Sequence, residues 1–214
     1  MTRALEREDR CASILSAATE VFAEKGYHAA RVTEIAQRAG VADGTIYLYF
    51  PGKEDLLIAV FRDGIGTYLR HLHGRLDGID SEEERLRVLV ATHLSYLGSH
   101  PHFARVTQVE LRQPVGKIRQ AINEIMDPYF HLIDSISEEG RKRGTFRPEL
   151  DRRLARRLIF GFLDECVTAW VMSAHPYDLG ALAPQAADLL LGGLRRLGGE
   201  EGTGSPGQNG GEPV

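Results

Sequence analysis

The chain has little cysteine and no long uninterrupted run of apolar residues. Its two cysteines, Cys11 and Cys166, lie far apart inside stretches of helical pattern, so we expect reduced thiols in a cytoplasmic protein rather than a disulfide framework. The opening decapeptide MTRALEREDR is polar and charged, so we expect no secretory signal peptide. Because a helix needs about 20 apolar residues to cross a bilayer, we expect no membrane-spanning segment either.

Strong charge of one sign is also missing. The formal net charge is -4 at pH 7, which argues against a protein that coats nucleic acid with bulk positive charge but permits a local basic footprint. The sequence has no G-x-S-x-G, no Cys/His set with metal-ligand spacing and no glycine-rich phosphate loop. The closest histidine pairs, within 71–73 and 100–102, are more simply exposed helix ends or residues at the mouth of a ligand site. These absences argue against an enzyme and against a bound cofactor or metal.

The periodicity is helical almost everywhere. Ile14, Ala17, Ala18, Val21 and Phe22 recur at three- and four-residue spacing in the first helix, and no strand pattern or internal repeat competes with this interpretation. Hydrophobic residues make up 43% of the chain, which is ample for a core, so the sequence predicts an all-α fold. The predicted helices span residues 7–27, 32–40, 42–50, 53–73, 81–100, 101–114, 115–144, 151–174 and 183–198.

Local signals add detail to this outline. Ser81 and Glu84 have the spacing of a capping box at the start of one helix. Pro128 lies inside the helix predicted over 115–144 and is expected to kink it. The last part of the chain is rich in Gly, Ser, Pro and Glu, so residues 199–214 are predicted to form a disordered tail.

The segment VADGTIYLYFPGKEDLL, residues 41–57, crowds three aromatic side chains beside a helix break. A long helix, a short helix and a tight turn over 40–43 precede it, and it begins with a second short helix. This order is typical of a helix-turn-helix, whose second short helix enters the major groove of DNA. Ile46 and Phe50 lie four residues apart and are predicted to face the core.

The other face of this second short helix carries groups suited to DNA. Gly44 lets the backbone approach closely, and the Thr45 hydroxyl can reach a base edge or a phosphate. Tyr47 and Tyr49 carry phenols that can bond phosphates, and Lys53 begins the next helix, whose dipole already favours an anion. In isolation the tyrosines would more simply pack, but the whole motif favours DNA contact.

The stretch VFAEKGYHAARVTEIAQRAGVADGTIYLYFPGKEDLL resembles the N-terminal domain of the TetR family of transcriptional repressors. The resemblance implies a DNA-binding helix-turn-helix domain over 1–52 and a larger helical domain over 53–198 that binds a small molecule and forms a homodimer. Arg31 stands where many members have a Ser or Thr that caps the second helix, which makes Thr33 a candidate substitute. The implied DNA-binding residues are Arg31, Thr33, Gly44, Thr45, Tyr47, Leu48, Tyr49 and Lys53.

Three further stretches, VTQVELRQ, LARRLIFGFLDECVTAWVM and YDL, resemble one branch of this family. These are the acyl-CoA-responsive regulators of fatty acid degradation in Bacillus- and Thermus-type bacteria. The resemblance implies a long-chain acyl-CoA as effector, which needs an apolar tunnel for its chain and cations for its phosphates. The residues expected at this site are Phe103, Arg105, Gln108, Arg112, Arg119, Ile122, Asn123, Met126, Phe130, Phe160, Asp164 and Trp170.

Alternatives stay open for the ligand and for several of these residues. Any single apolar residue on these helices is more simply part of the core. Asp164 or Glu165 could pair with Arg105 or Arg112 without a ligand, since a buried carboxylate needs a partner. The effector could be a drug or another lipid, and an acyl-CoA-processing enzyme is the less favoured alternative.

The last two helices are predicted to form the homodimer interface. Gly161, Gly192 and Gly193 would let helices approach closely, and the apolar face beside them would be a liability on a monomer. Pairing about a two-fold axis gives a four-helix bundle, and such a dimer reads an inverted repeat in its double-stranded DNA operator. The leucines assigned to this face are Leu189, Leu190, Leu191, Leu194 and Leu197.

Overall fold

The computed structural model describes residues 2–110, 116–175 and 177–196, so the predicted tail lies outside the described residues. Within these ranges the chain forms nine α-helices and one short 3-10 helix, Gly180–Leu182, which confirms the all-α prediction. None of the described helices is both long and apolar enough to cross a membrane. The α-helices are α1 (Thr2–Ala29), α2 (Val32–Ala39), α3 (Asp43–Tyr49), α4 (Lys53–Leu76), α5 (Glu82–Ser99), α6 (Pro101–Glu110), α7 (Lys117–Arg143), α8 (Arg152–Met172) and α9 (Ala183–Leu194).

Helices α1 to α3 form a small bundle, the head, around one apolar centre. Ile14 and Phe22 of α1 and Ile35 of α2 are buried there. Ile46 of α3 and Phe50, the residue that caps its C-terminal end, are 1% and 8% exposed, so their predicted core positions are confirmed. Because α3 has fewer than two full turns, burying this one face leaves the opposite face to solvent.

Two glycines shape the head. Gly26 has φ 74° and interrupts α1 near its end, and Gly40 has φ 67° and ends α2 in the left-handed conformation. A residue with a Cβ is strained at these angles, whereas glycine adopts them readily. These two positions therefore set where α1 changes direction and where the turn into α3 begins.

The start of α2 is capped differently from the prediction. Arg31 is the N-cap residue, but a guanidinium has no acceptor for a backbone N–H. Glu34 supplies the carboxylate: its Oε2 accepts the Arg31 backbone N–H at 3.2 Å, and its Oε1 accepts Lys25 Nζ at 2.7 Å. Thr33 lies inside the helix rather than before it, so the expectation that it replaces the cap is wrong.

Helices α4 to α9 form the larger part of the molecule. Helix α7 packs on α4 and α8, and α5 packs on α4, α7, α8 and α9. Ser81 caps α5 as predicted, with its hydroxyl accepting the Glu84 backbone N–H. Helix α7 is continuous across Pro128, so the proline does not divide it. Helix α6 packs against α1 on one side and α8 on the other, and thereby bridges the head and the larger part.

The leucines predicted to form the interface differ in their exposure to solvent. Leu190, Leu191 and Leu194 are at most 2% exposed inside the single chain, so their assignment to a partner-facing surface is wrong. Leu189 is 61% exposed, and Leu197 lies outside the described residues. The sequence could not separate them, because consecutive leucines on a short helix point to several faces.

An exposed apolar face does exist on the last two helices. Leu154 and Leu158 of α8 are exposed together with Leu189 of α9. Gly161, Gly192 and Gly193 are exposed as well. We call this set the α8–α9 face: Leu154, Leu158, Gly161, Leu189, Gly192 and Gly193.

Candidate functional site

The solvent side of α3 is the first functional surface. Leu48 is 79% exposed and Tyr47 is 54% exposed, while Thr45 and Tyr49 are partly exposed. Gly44 is exposed too, and a Cβ built on it would meet nothing within 4 Å. Large apolar and aromatic groups left in water on a helix this short indicate a surface that contacts something else. We call these five residues the recognition face.

Lys53 has contacts within the chain that the sequence did not predict. Its ammonium donates to the backbone carbonyls of His28 at 3.2 Å and Ala30 at 3.0 Å, and it lies 4.6 Å from the centre of the Tyr27 ring. It therefore fastens the α1–α2 turn to the start of α4, in addition to any phosphate it meets. Arg31 is exposed at the start of α2.

The second site is an internal cavity of about 30 Å³ between α4, α5, α6, α7 and α8. Such a volume holds roughly one or two water molecules. Five residues expected from the sequence line it: Phe103, Gln108, Met126, Phe160 and Asp164. Six others line it that the sequence reasoning missed: Ile65, Tyr68, His93, Leu97, Thr107 and Tyr129.

The remaining expected ligand residues that the structure describes lie outside the cavity. Arg105 is exposed and shares an open groove of about 550 Å³ with Trp170, while Arg119 and Asn123 are exposed on α7. Ile122 and Phe130 do not line the cavity either: Ile122 is 2% exposed in the core, and Phe130 packs edge-on against Phe160 at 5.1 Å. Arg112 lies outside the described residues.

Three polar rings lie at one side of the cavity. Tyr68, His93 and Tyr129 are 4%, 7% and 1% exposed. The Tyr129 hydroxyl is hydrogen-bonded to His93 Nδ1 at 2.9 Å. The hydroxyl of Tyr68 and Nε2 of His93 are buried and have no hydrogen-bond partner among the described residues. We call these three residues the Tyr–His cluster.

Burial decides the protonation states in this cluster. It lowers the pKa of His93 to about 4 from the ordinary 6.5, because the charged imidazolium would lose its hydration. It also raises the pKa of Tyr68 and of Tyr129 well above the usual value, for the same reason. The cluster is therefore neutral at physiological pH and offers hydrogen bonds rather than charge.

Phe103 separates the cavity from the surface. Its ring lies directly on α4, where a Cβ added to Gly64 would be 2.2 Å from Phe103 Cε2. The same side chain also lines an outer groove of about 440 Å³ that runs along α1. Because Phe103 lines both the cavity and the outer groove, its side chain separates the two.

The far end of α6 is fastened to the head. Glu110 is 2% exposed, and its Oε1 accepts the backbone N–H of Tyr27 at 2.8 Å, next to the break in α1 at Gly26. On the cavity side, Gln108 Oε1 accepts the hydroxyl of Thr168 in α8 at 2.7 Å. One short helix thus contacts the cavity, α8 and the head.

The cluster residues carried a signal that sequence reasoning did not use. His93 falls in the apolar stripe formed by Leu86, Leu89 and Leu97, and Tyr68 falls in a similar stripe of α4. A polar ring on an otherwise apolar helix face must find a buried partner or a ligand. Applying this rule to the sequence would have identified His93 and Tyr68 as candidate ligand contacts.

A helix-turn-helix head joined to a helical domain with an internal cavity defines the class of ligand-responsive DNA-binding regulators. Residues 14–60 match the family model of bacterial regulatory proteins, tetR family, and residues 61–193 match that of the YsiA-like protein, C-terminal region. The chain therefore belongs to the TetR family, whose members are transcriptional regulators and not enzymes.

Three similar proteins of more than 40% identity are fatty acid metabolism or degradation regulators. The fatty acid metabolism regulator protein of Bacillus subtilis is 43% identical, over 88% of this chain and 97% of its own length. The structure of the fatty acid degradation regulator FadR from Bacillus halodurans is 47% identical with a TM-score of 0.81, covering 86% of this chain and 99% of that one. The structure of FadR from Bacillus subtilis in complex with stearoyl-CoA is 44% identical with a TM-score of 0.81, covering 85% and 98%. These findings confirm the resemblance seen in the sequence.

The depressed pKa of His93 predicts an acid-sensitive stability. Since the unfolded chain binds this proton near pH 6.5 and the folded chain only near pH 4, the folded state should lose stability as the pH falls through that window, by about 3 kcal/mol for this one group. Urea unfolding of wild type and His93→Gln at pH 7 and pH 4.5 checks it. The variant should lose less stability on acidification, whereas His131→Gln, which removes an exposed histidine, should match wild type. Equal pH dependence in all three proteins would contradict the prediction.

Proposed function

We propose that this protein is a DNA-binding transcriptional repressor of fatty acid degradation genes in the cytoplasm, and that long-chain acyl-CoA releases it from its operator. The observation that carries the proposal is the position of α6. This helix forms one wall of the cavity through Phe103, Thr107 and Gln108, and its last residue, Glu110, binds the end of α1 in the head. Similarity to a FadR that is bound to stearoyl-CoA supports acyl-CoA as the effector.

The size of the cavity suggests how the ligand acts. About 30 Å³ cannot hold a long acyl chain, so the ligand must bind a second conformation in which Phe103 and α6 have moved outward. Because Glu110 ties α6 to Tyr27, this movement shifts the head. The ligand then weakens DNA binding by the difference between its affinities for the two conformations.

The CoA phosphates need cations near the mouth of the opened cavity. Arg105 is the best placed of the described candidates, since it is exposed on α6 and lines the groove that it shares with His102 and Trp170. Arg119 and Asn123 face solvent on α7, and Arg112 lies outside the described residues, so contacts of these three with CoA stay predictions.

On the DNA side, the recognition face enters the major groove. Tyr47 contacts a backbone phosphate, and Thr45 lies nearer the base edges at the start of α3. The exposed side chain of Leu48 suits an apolar contact such as a thymine methyl group. Arg31, exposed at the start of α2, adds a cation to the motif.

The α8–α9 face forms a two-fold homodimer interface. Its three leucines and three glycines combine exposed apolar area with room for close helix approach. A Cβ on Gly193 would lie 3.4 Å from Leu158 Cδ2, so α8 and α9 already pack closely at this point within one chain. Two heads related by the two-fold axis read an inverted repeat.

The effector experiment measures operator binding by gel shift and ligand binding by calorimetry. Each additional methylene buried in the opened cavity should strengthen binding by about 0.8 kcal/mol until the space is full. Long-chain acyl-CoA should therefore release DNA at lower concentration than short-chain acyl-CoA. Free fatty acid should bind more weakly than its CoA ester, because it lacks the phosphates. If none of the three ligands binds, the effector is another hydrophobic compound, and only the repressor part of the proposal survives.

The recognition face is tested by two substitutions. Tyr47→Phe keeps the ring but removes one phosphate hydrogen bond, so operator affinity should fall by about 1 kcal/mol, similarly for different sequences. Thr45→Ala should instead change the discrimination between operator variants. Tyr177→Phe, which removes an exposed hydroxyl remote from α3 in the chain, is the matched control. Affinity and discrimination unchanged by both head substitutions would rule out this mode of DNA contact.

The dimer interface is tested by sedimentation at micromolar concentration. Leu189→Glu places a charge in the middle of the α8–α9 face and should shift the protein from dimer to monomer. Leu5→Glu changes a leucine of similar exposure, 54% against 61%, on the head and should leave the dimer intact. A wild-type monomer, or a Leu189→Glu dimer as stable as wild type, would contradict the assignment.

A further inference from the structure

The Tyr–His cluster leaves two buried polar atoms without a protein partner. They are the Tyr68 hydroxyl and His93 Nε2, and both side chains line the cavity. Tyr68 and Tyr129 meet edge to face at 5.5 Å, and His93 and Tyr129 stack at 5.8 Å, so the three rings hold one another in place. The position of the two free groups is therefore fixed by packing before any ligand arrives.

A hydrocarbon chain alone would be a poor occupant beside these groups. Buried donors and acceptors that meet only apolar atoms are destabilising, because their hydrogen bonds to water are lost and not replaced. The neighbouring lining residues Ile65, Leu97, Met126 and Phe160 already supply ample apolar wall. The retained phenol and imidazole therefore point to an oxygen atom in the same space, from water or from the ligand.

We propose that the Tyr–His cluster is an oxygen-binding subsite, which holds a carbonyl or hydroxyl oxygen of the acyl part of an acyl thioester. This inference rests on the proposed function and adds that the protein reads a polar group of its effector as well as chain length. Tyr68 donates its O–H to the ligand oxygen. His93 is held by Tyr129 through Nδ1, which leaves Nε2 for the same oxygen.

The hydrogen bonding fits either source of the oxygen. When Tyr129 donates to Nδ1, the neutral imidazole carries its proton on Nε2, and the cluster presents two donors that suit a thioester carbonyl. In the other tautomer Nε2 accepts, and the cluster presents one donor and one acceptor that suit a hydroxyl group on the chain. Both arrangements need His93 to be neutral.

Calorimetry with three matched ligands tests the subsite. They are hexadecanoyl-CoA, its 3-hydroxy derivative, and S-hexadecyl-CoA, a thioether that keeps the chain and CoA but has no carbonyl. Wild type should show at least one of two preferences of about tenfold. It should bind hexadecanoyl-CoA more tightly than S-hexadecyl-CoA, or the 3-hydroxy derivative more tightly than hexadecanoyl-CoA. A preference for thioester over thioether identifies the carbonyl, and a preference for the 3-hydroxy ligand identifies the hydroxyl.

Tyr68→Phe removes one donor and keeps the ring. The tenfold preference for the ligand that carries the additional oxygen should therefore fall to about twofold or less. Tyr96→Phe is the matched control. Its ring contacts Tyr68 at 5.4 Å, but it does not line the cavity, so the preference should match wild type. Thermal unfolding without ligand should show Tyr68→Phe to be at least as stable as wild type, since it removes a buried hydroxyl without a protein partner.

The outcomes separate this inference from the proposed function. If all three ligands bind wild type equally, acyl-CoA is the effector but water occupies the cluster, and the subsite is overturned alone. If Tyr68→Phe keeps the full preference, the oxygen is bound elsewhere, and the subsite is again overturned. If none of the ligands binds, the proposed effector is wrong, and the subsite falls with it.

Discussion

The buried carboxyl group of Glu110 links the larger part of the molecule to the head, and the proposed coupling between the two depends on this contact. It lies 2% exposed at the end of α6 and accepts the Tyr27 backbone N–H next to the left-handed Gly26. The loss of such a donor is costly for a buried carboxyl oxygen, because water does not replace the hydrogen bond. We therefore expect the end of α1 to follow α6 if α6 moves. Lys53 holds the adjacent α1–α2 turn to the start of α4.

With the proposed effector, the lining of the cavity would favour selection among ligands rather than maximal affinity. An all-apolar lining would bind any hydrophobic chain, whereas the Tyr–His cluster penalises ligands that leave its polar groups unpaired. The neutrality of His93 matters here, since an imidazolium would favour an anion such as a free carboxylate. The length of the acyl chain and its oxygen atom would then be recognised in the cavity, and the CoA phosphates by a separate exposed cation.

Much of the fold followed from the sequence, and the ligand site followed only in part. Helix periodicity, caps such as Ser81 and the core positions of Ile46 and Phe50 are local properties, and the structure confirms them. Which face of a helix meets which neighbour is set by tertiary packing. Arg105 was therefore expected at the cavity although it points to an outer groove, and Leu190 was expected at a partner although it packs against its own chain. The cluster was missed because its three rings lie on three different helices, α4, α5 and α7, and only tertiary packing brings them together.

If the effector binds an open conformation, as proposed, the population of that conformation also sets the sensitivity of the response. If the open conformation has a population of about 1%, the observed dissociation constant is about a hundredfold larger than that of the open form itself. Low background levels of ligand would then leave the operator occupied, and the threshold would lie where the ligand becomes abundant. The packing of Phe103 on Gly64 contributes to the stability of the closed state. A small change in that contact could retune the threshold without altering a single contact to DNA.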